Sequence, residues 1–440
     1  MIKRLISGTA LFLLVFTLVS AAADAYYYWR ITDLIEGKVG WTCRCDFRVF
    51  WTAGYRIKNY VFGETAGSDA GVSVYAKDLD EYLDGERSRV YNKSDQFYHF
   101  RYSPITAFLM IPFASIKYPA HALILWFLML NAALAAALII LASIIAKDLG
   151  LTASGRALAL WSAFLVSLKF YFMSLSVGQS DVIVALFFVL FLAAYVRGRD
   201  IAGGLAFALI LQFKPFFAPA MLYFLLAGRR KLFISSGAWF LALLIAPVAI
   251  AGFDKAMALL NDWVGILTMS IPSQILNHKN QSITYFIGKA VLNTGILGPS
   301  ASAEALFYAI SGILMSAAYA ALLIFRRAVK ADIRDKRFAY FEISSVIIIT
   351  LLFSPLVWVA HFINLIIPAA VTAVFVMQSR EKRAVYAPLA AFIFFSLIMG
   401  TDITNFIPVV NSFKFINVAA GTVFLTLAMV YSYKNADPSR

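Results

Sequence analysis

The strongest constraint on this chain is a series of apolar runs near 20 residues long, several without a charged side chain. A helix of that length matches the ~30 Å hydrocarbon core of a bilayer and satisfies its own backbone hydrogen bonds there. The runs lie at about 5–28, 120–146, 157–177, 181–196, 201–227, 232–252, 304–325, 339–357, 361–378, 384–400 and 412–433. Few soluble folds can hide a chain of 440 residues that is 61% hydrophobic and 14% charged. The expectation is an all-α, polytopic membrane protein forming a single domain over 1–440, with no internal repeat.

Net charge +14 would suit a nucleic-acid binder. Here, however, Lys and Arg concentrate in short loops between apolar runs, as the positive-inside rule requires. No nucleic-acid motif or partner is expected. The start, MIKRLISGTALFLLVFTLVSAAADA, has the basic, apolar and small-residue order of a signal peptide. Its apolar run continues to Tyr26, Tyr27, Tyr28 and Trp29, which suit a membrane interface, so an uncleaved first helix is expected.

Charge also decides two doubtful segments. Counting 103–118, broken by Pro104 and Pro112, as a span would put Lys147, Arg156, Arg197 and Arg199 outside. As an outer-surface or re-entrant piece, it leaves all four inside and only Lys117 outside. The run 201–227 carries Lys214 and Pro215 near its middle and has basic groups at both ends. It is expected to be a hairpin of two short helices with Lys214 at its outer tip. About twelve membrane helices follow, with long outer loops at 29–119 and 253–303.

On this topology the polar groups that look out of place collect on the outer face: Asp46, Gln179, Asp181, Lys214, His278, Gln281 and His361. Asp46 heads a segment whose apolar face (Phe47, Phe50, Trp51, Gly54, Val61) can lie on the membrane. It reads either as a helix cap or as a base facing a lipid-borne substrate. Lys214 reads as a snorkelling interface lysine or as a phosphate ligand. Arg101 is solvated surface or an auxiliary cation. His278, Gln281 and His361 are structural or contact a bound ligand. Gln179 and Asp181 cap a helix or bind a polar ligand, with Asp181 a second choice of base. The outer segment 63–95 is an exposed loop or a lid. Cys43 and Cys45 are expected as free thiols, because a bridge across one residue is strained. No metal motif is evident, although a divalent ion is compatible with the dispersed Asp and His side chains.

The segments DFRVFWTAG, HFRYSPITAFLMIPFA, SVGQSDVIVALF, AGGLAFALILQFKP, HKNQSI and FSPLVWVAHF occur in an order that resembles glycosyltransferase family 87, over roughly residues 10–380. The resemblance implies a GT-C fold whose long first periplasmic loop carries juxtamembrane helices and an acidic residue, here Asp46. It implies a polyprenyl-phosphate sugar, most often mannose, as donor, no further cofactor, and a lipid or glycan acceptor. Catalysis would take place at the periplasmic face of a bacterial inner membrane. Two departures stand out: one histidine, His361, follows the SP-x-x-W motif where the family often has a pair, and the GQ turn continues as GQSD rather than to Asn.

Such a transfer needs one base for the acceptor hydroxyl, set opposite the leaving phosphate, and a cation for that phosphate, so a single displacement inverts the anomeric carbon. The rival class is a transporter or flippase of lipid-linked sugars. Its signs would be an inverted repeat and polar groups lining a path through the bilayer; neither is evident.

Overall fold

The structure, a computed structural model, describes residues 2–36, 46–62, 100–116, 119–268, 280–293, 301–332, 335–399 and 416–436. His278, Cys43, Cys45, the segment 63–95 and the turn 401–411 lie outside the described residues. Among the described residues the chain is almost wholly helical and no strand forms; two isolated bridges, Asn280 to Trp358 and Ser379 to Ala436, are the extended pairings.

Helix α1 spans Ile2–Glu36 and α2 Asp46–Phe62, and two short helices, α3 Pro104–Leu109 and α4 Ile111–Ala114, follow. Then come α5 Pro119–Asp148, α6 Ala153–Val177, α7 Asp181–Tyr195, α8 Asp200–Phe213, α9 Pro219–Leu226, α10 Arg230–Ala251, α11 Phe253–Thr268 and α12 Ile283–Asn293. The rest is α13 Ala301–Ala328, α14 Lys336–Phe353, a 3-10 turn Val359–Leu365 leading into α15 Ile366–Gln378, α16 Arg383–Phe392 continued by a π-helical turn Ile393–Ile398, and α17 Asn417–Asn435. Six segments are long and apolar enough to cross a membrane: Gly8–Trp29, His121–Asp148, Ala153–Val177, Arg230–Ala251, Ala305–Ala328 and Val359–Gln378. The chain is a multi-pass membrane protein.

Burial separates central from peripheral helices. Of the Val359–Gln378 span 83% is buried in protein, against 11% of Arg230–Ala251, whose Ile234, Leu241, Ile245 and Ile250 face outward. The bundle centre is α5, α6 and α7 with α15 packed on α6, while α1 lies outside α5 and α6. Some polar groups inside the bundle find their partners on neighbouring segments of the chain. Lys169 of α6 donates to the carbonyls of Ser396 and Met399 at 2.9 and 2.7 Å, closing the π-helical end.

The doubtful run 201–227 is a broken helix that turns back. Lys214 precedes Pro215, which disfavours helical backbone at the residue before it; Lys214 has φ −137° and ψ 76°, and a 3-10 turn Pro215–Phe217 follows. Aromatic contacts give the direction of the two arms: Phe207 of α8 packs on Phe224 of α9 at 5.4 Å, and Phe224 also reaches Tyr195 at the far end of α7. Chain ends that begin near Tyr195 therefore return there, with Lys214 at the turn. Helix α10 runs beside α8 in the same direction. The approach is close because Gly204 has no side chain, and a Cβ there would collide with Ser235. Gln212 donates to the Phe240 carbonyl at 3.3 Å, midway along α10. From Phe240, α10 continues to Ala251, about 16 Å further. The hairpin tip thus sits level with the middle of α10, short of its Ala251 end.

Residues 103–116 form α3 and α4, each far too short to cross a bilayer, seated on α2 and α5 with the Ser103 amide donating to the Gln212 carbonyl at 3.2 Å. One expectation is corrected here. The apolar face of α2 does not lie on lipid: Phe47, Phe50 and Trp51 are buried against protein, Phe50 stacking near Trp126 at 5.4 Å and Tyr102 at 4.6 Å. Aromatic rings brought together from 3 distant segments supply a drier and better-packed surface than acyl chains.

Candidate functional site

Three chain breaks meet at one end of the bundle. The first is the α6–α7 turn. Helix α6 ends in a left-handed Gly178 (φ 68°), with the Gly178 and Gln179 amides donating back to Leu175 and Ser174 carbonyls. The turn places Asp181 at the first residue of α7. Trp126 Nε1 donates to the Gly178 carbonyl at 3.1 Å and so pins the turn to α5.

The second break is the hairpin tip. Lys214 Nζ lies 3.0 Å from Asp181 Oδ1, and the two side chains are 6% and 0% exposed. The third is the 3-10 turn after α14, which carries His361. The Lys214 ammonium is also 3.0 Å from His361 Nε2, and Asp181 Oδ1 is 3.9 Å from the same nitrogen. The imidazole stacks on Phe216 at 5.3 Å, its Nδ1 faces the Trp358 amide at 3.3 Å, and Asn364 donates to the His361 carbonyl at 2.8 Å. Two of the three Lys214 donors therefore have partners among the described residues, and the ammonium also sits 5.6 Å from the Tyr102 ring.

Asp46 joins this group through packing. It is the first residue of α2, so its carboxylate stands at the positive end of that helix. The next residue, Phe47, presses on the turn: a Cβ at Gly178 would lie 2.5 Å from Phe47 Cβ. Asp46 acts electrostatically on both Lys214 and Tyr102, as does Asp181 on both. Burial among Phe50, Phe100 and Phe213 pushes the Tyr102 phenol up to about 12, so it stays a hydroxyl. A half-buried carboxylate, Asp46, thus stands within electrostatic reach of the buried Asp181–Lys214 pair at the Asp181 end of α7.

The other sequence candidates are placed as follows. Gln179 is half-buried beside Asp181, and Gln179 Oε1 and Asp181 Oδ2 have no hydrogen-bond partner among the described residues. Gln281 lies against the turn before His361: its amide donates to the Val357 carbonyl at 2.7 Å, and its Oε1 accepts from the Val418 amide at 3.3 Å. Arg101 is half-buried and interacts electrostatically with Tyr308 of α13, while its carbonyl accepts from Trp263 Nε1 at 3.0 Å; among the described contacts none joins its side chain to Lys214 or Asp181. Among the described residues no three His, Cys, Asp or Glu side chains are grouped to hold a metal ion.

Sequence reasoning passed over Asn280. Its Oδ1 accepts from the Val357 and Ser282 amides, both at 3.1 Å, and its Nδ2 donates to the Pro355 carbonyl at 2.7 Å. It thereby fixes the turn that presents His361. The NQS and SPLVW motifs both contain this pairing, but nothing in their spacing announces it.

Residues 100–355, more than half of the chain, match the sequence model of glycosyltransferase family 87. The chain belongs to that family. No curated protein matches it. Membership makes this protein a membrane glycosyltransferase and sets aside the transporter reading. The matched stretch contains Asp181, Lys214 and Gln281, whereas Asp46 and His361 lie beyond its two ends. Within this family 87 protein, the folded chain brings Asp46 and His361 to Lys214 and Asp181 from outside the matched region.

Proposed function

We propose that this glycosyltransferase moves a hexose, mannose by preference, from a polyprenyl-phosphate sugar to a lipid or glycan hydroxyl, with inversion, at the periplasmic face of a bacterial inner membrane. The observation that carries the reading is the convergence of one half-buried acid, Asp46, with a buried ammonium, Lys214, at the same end of the bundle. The chemistry asks for this pair. Asp46 takes the proton of the acceptor hydroxyl as its oxygen bonds to the anomeric carbon. The bond from that carbon to the phosphate oxygen breaks, and its electron pair leaves with the phosphate, held by the remaining Lys214 donor. His361 and Asp181 orient the ammonium and are not themselves consumed.

The free acceptors Gln179 Oε1 and Asp181 Oδ2 support a hydroxyl-rich ligand, because buried acceptors without donors are costly and sugar hydroxyls supply donors. His278, two positions before Asn280 in sequence, is proposed as a second group near the donor phosphate, and Arg101 as an outer cation. No cofactor beyond the lipid-linked donor is invoked.

Positive-inside counting supports the sidedness: Arg197, Arg199, Arg229, Arg230 and Lys231 all lie at the ends of α7–α10 remote from Asp181 and Lys214. Adding the shorter segments Asp181–Tyr195, Asp200–Phe213, Pro215–Leu226 and Arg383–Ile398, with α14 and α17, to the six long spans gives the twelve membrane helices of a GT-C-type domain over 1–440, the hairpin counted as two. The test is stereochemical. Purified protein in lipid nanodiscs, given labelled polyprenyl-phosphate mannose and membrane acceptors, should form a product whose anomeric configuration is opposite to the donor's. A product of retained configuration would sink the single-displacement reading.

A further inference from the structure

A cavity of about 320 Å³ lies between α7 and α8, toward the ends of these helices remote from Asp181 and Lys214. Its walls are apolar: Phe187, Leu190, Ala193, Ala202, Leu205 and Leu209, with the alanines hollowing it. Arg197 and Arg199 line its far end and are the charged side chains on its surface. Both arginines are exposed, and neither forms an ion pair among the described residues. Arg197 gives one donor to the Ala193 carbonyl at 3.2 Å, which anchors it at the rim and leaves its other donors available. Asp200, the next acid in sequence, opens α8. From Phe187 to Arg197 the groove follows α7 for about 15 Å.

An apolar trough ending in two guanidinium groups has the shape and charge of one molecule class. A soluble anion makes no use of the trough, and an uncharged lipid makes no use of the arginines. We infer that this groove binds an anionic phospholipid of the inner leaflet, one acyl chain lying along Leu190, Ala193, Ala202 and Leu205 and the phosphate between Arg197 and Arg199. Arginine suits the phosphate oxygens because its planar fork donates two parallel hydrogen bonds, and basic pockets between membrane helices on the cytoplasmic side recognise anionic headgroups in this way. The site is separate from the Asp46–Lys214 region and does not depend on the reaction proposed there.

The test uses the full chain in phosphatidylcholine nanodiscs doped with photoactivatable phosphatidylglycerol or, at equal mole fraction, photoactivatable phosphatidylcholine. Cross-linked peptides are mapped by mass spectrometry. The anionic probe should label the 187–209 region about tenfold more than the zwitterionic one. Arg197→Gln/Arg199→Gln should abolish that preference, and Ala202→Leu should lower labelling by both probes. The pair Lys382→Gln/Arg383→Gln, on the same membrane face, should change neither, with gel filtration checking that each variant is folded. Equal labelling by the two probes, or a preference that survives the double arginine variant, would overturn the inference. So would displacement of the anionic probe by unlabelled polyprenyl phosphate at lower concentration than by unlabelled phosphatidylglycerol.

Discussion

Lys214 and Asp181 lie 3.0 Å apart, Nζ to Oδ1, at a helix break and a helix start that are 33 positions apart in sequence, and both are withdrawn from solvent. A buried ion pair stabilises little against an apolar replacement, but breaking it from one side is severe, about 3–5 kcal/mol. Lys214→Met should therefore lower stability by that order, and Asp181→Asn by somewhat less, because a neutral amide still accepts. The double variant Lys214→Met/Asp181→Leu should lose less than the sum of the two single changes, with a coupling of about 2 kcal/mol. Thermal unfolding in detergent checks this, and additive losses would show that the two groups do not depend on each other.

Gly178 links the acid on α2 to the ion pair. Alanine there carries the left-handed backbone penalty of about 1–2 kcal/mol and drives its methyl into Phe47. Gly178→Ala should lower the transfer rate while donor affinity changes less, since Phe47 and Asp46 move as one helix turn. Adding Phe47→Ala should not restore the rate. Kinetics and donor binding on the same preparation separate the two effects.

The opposite end of the bundle holds a clamp that the reaction does not use. Glu342 accepts from Tyr195 and Tyr223, both at 2.6 Å, and from Arg326 at 2.5 Å, tying α7, α9, α13 and α14 together. Glu342→Gln should destabilise the protein by about 3 kcal/mol, the cost of leaving the Arg326 charge without its partner. Activity per folded molecule should stay within about twofold. A large loss of donor affinity in this variant would mean that the clamp reports to the site.

Tyr102 gives a pH prediction. Burial holds its phenol at about 12, above the ordinary value near 10. Its contribution to stability is complete below that ordinary value and is lost only as pH rises through it toward 12. Across the range from about pH 6 to 9 it does not titrate, so Tyr102→Phe should leave the shape of the pH–rate profile unchanged. A shifted limb in the variant would contradict this.

The membrane class and the hairpin at Lys214 were legible in sequence because each rests on local physics: length of apolar run, the sign of flanking charge, and Pro215 after a lysine. The gathering of Asp46, Asp181, Lys214 and His361 at one end followed from the same topology. What sequence did not carry was partnership. Lys214 reads as a snorkelling interface lysine until Asp181 and His361 close on it, and the apolar face of α2 reads as a lipid anchor until Trp126, Tyr102 and Gly178 cover it. Glu342 and Lys169 were invisible for the same reason, since their partners lie on other helices and leave no periodic trace.

The measurement that tests the central claim most directly is transfer of labelled mannose from polyprenyl-phosphate mannose in reconstituted membranes, by wild type and Asp46→Asn, with donor binding followed in parallel. The account predicts transfer by wild type and a fall of about 10²–10⁴-fold in the variant, with donor binding retained through Lys214. Equal transfer by the two proteins would contradict it and remove Asp46 as the base.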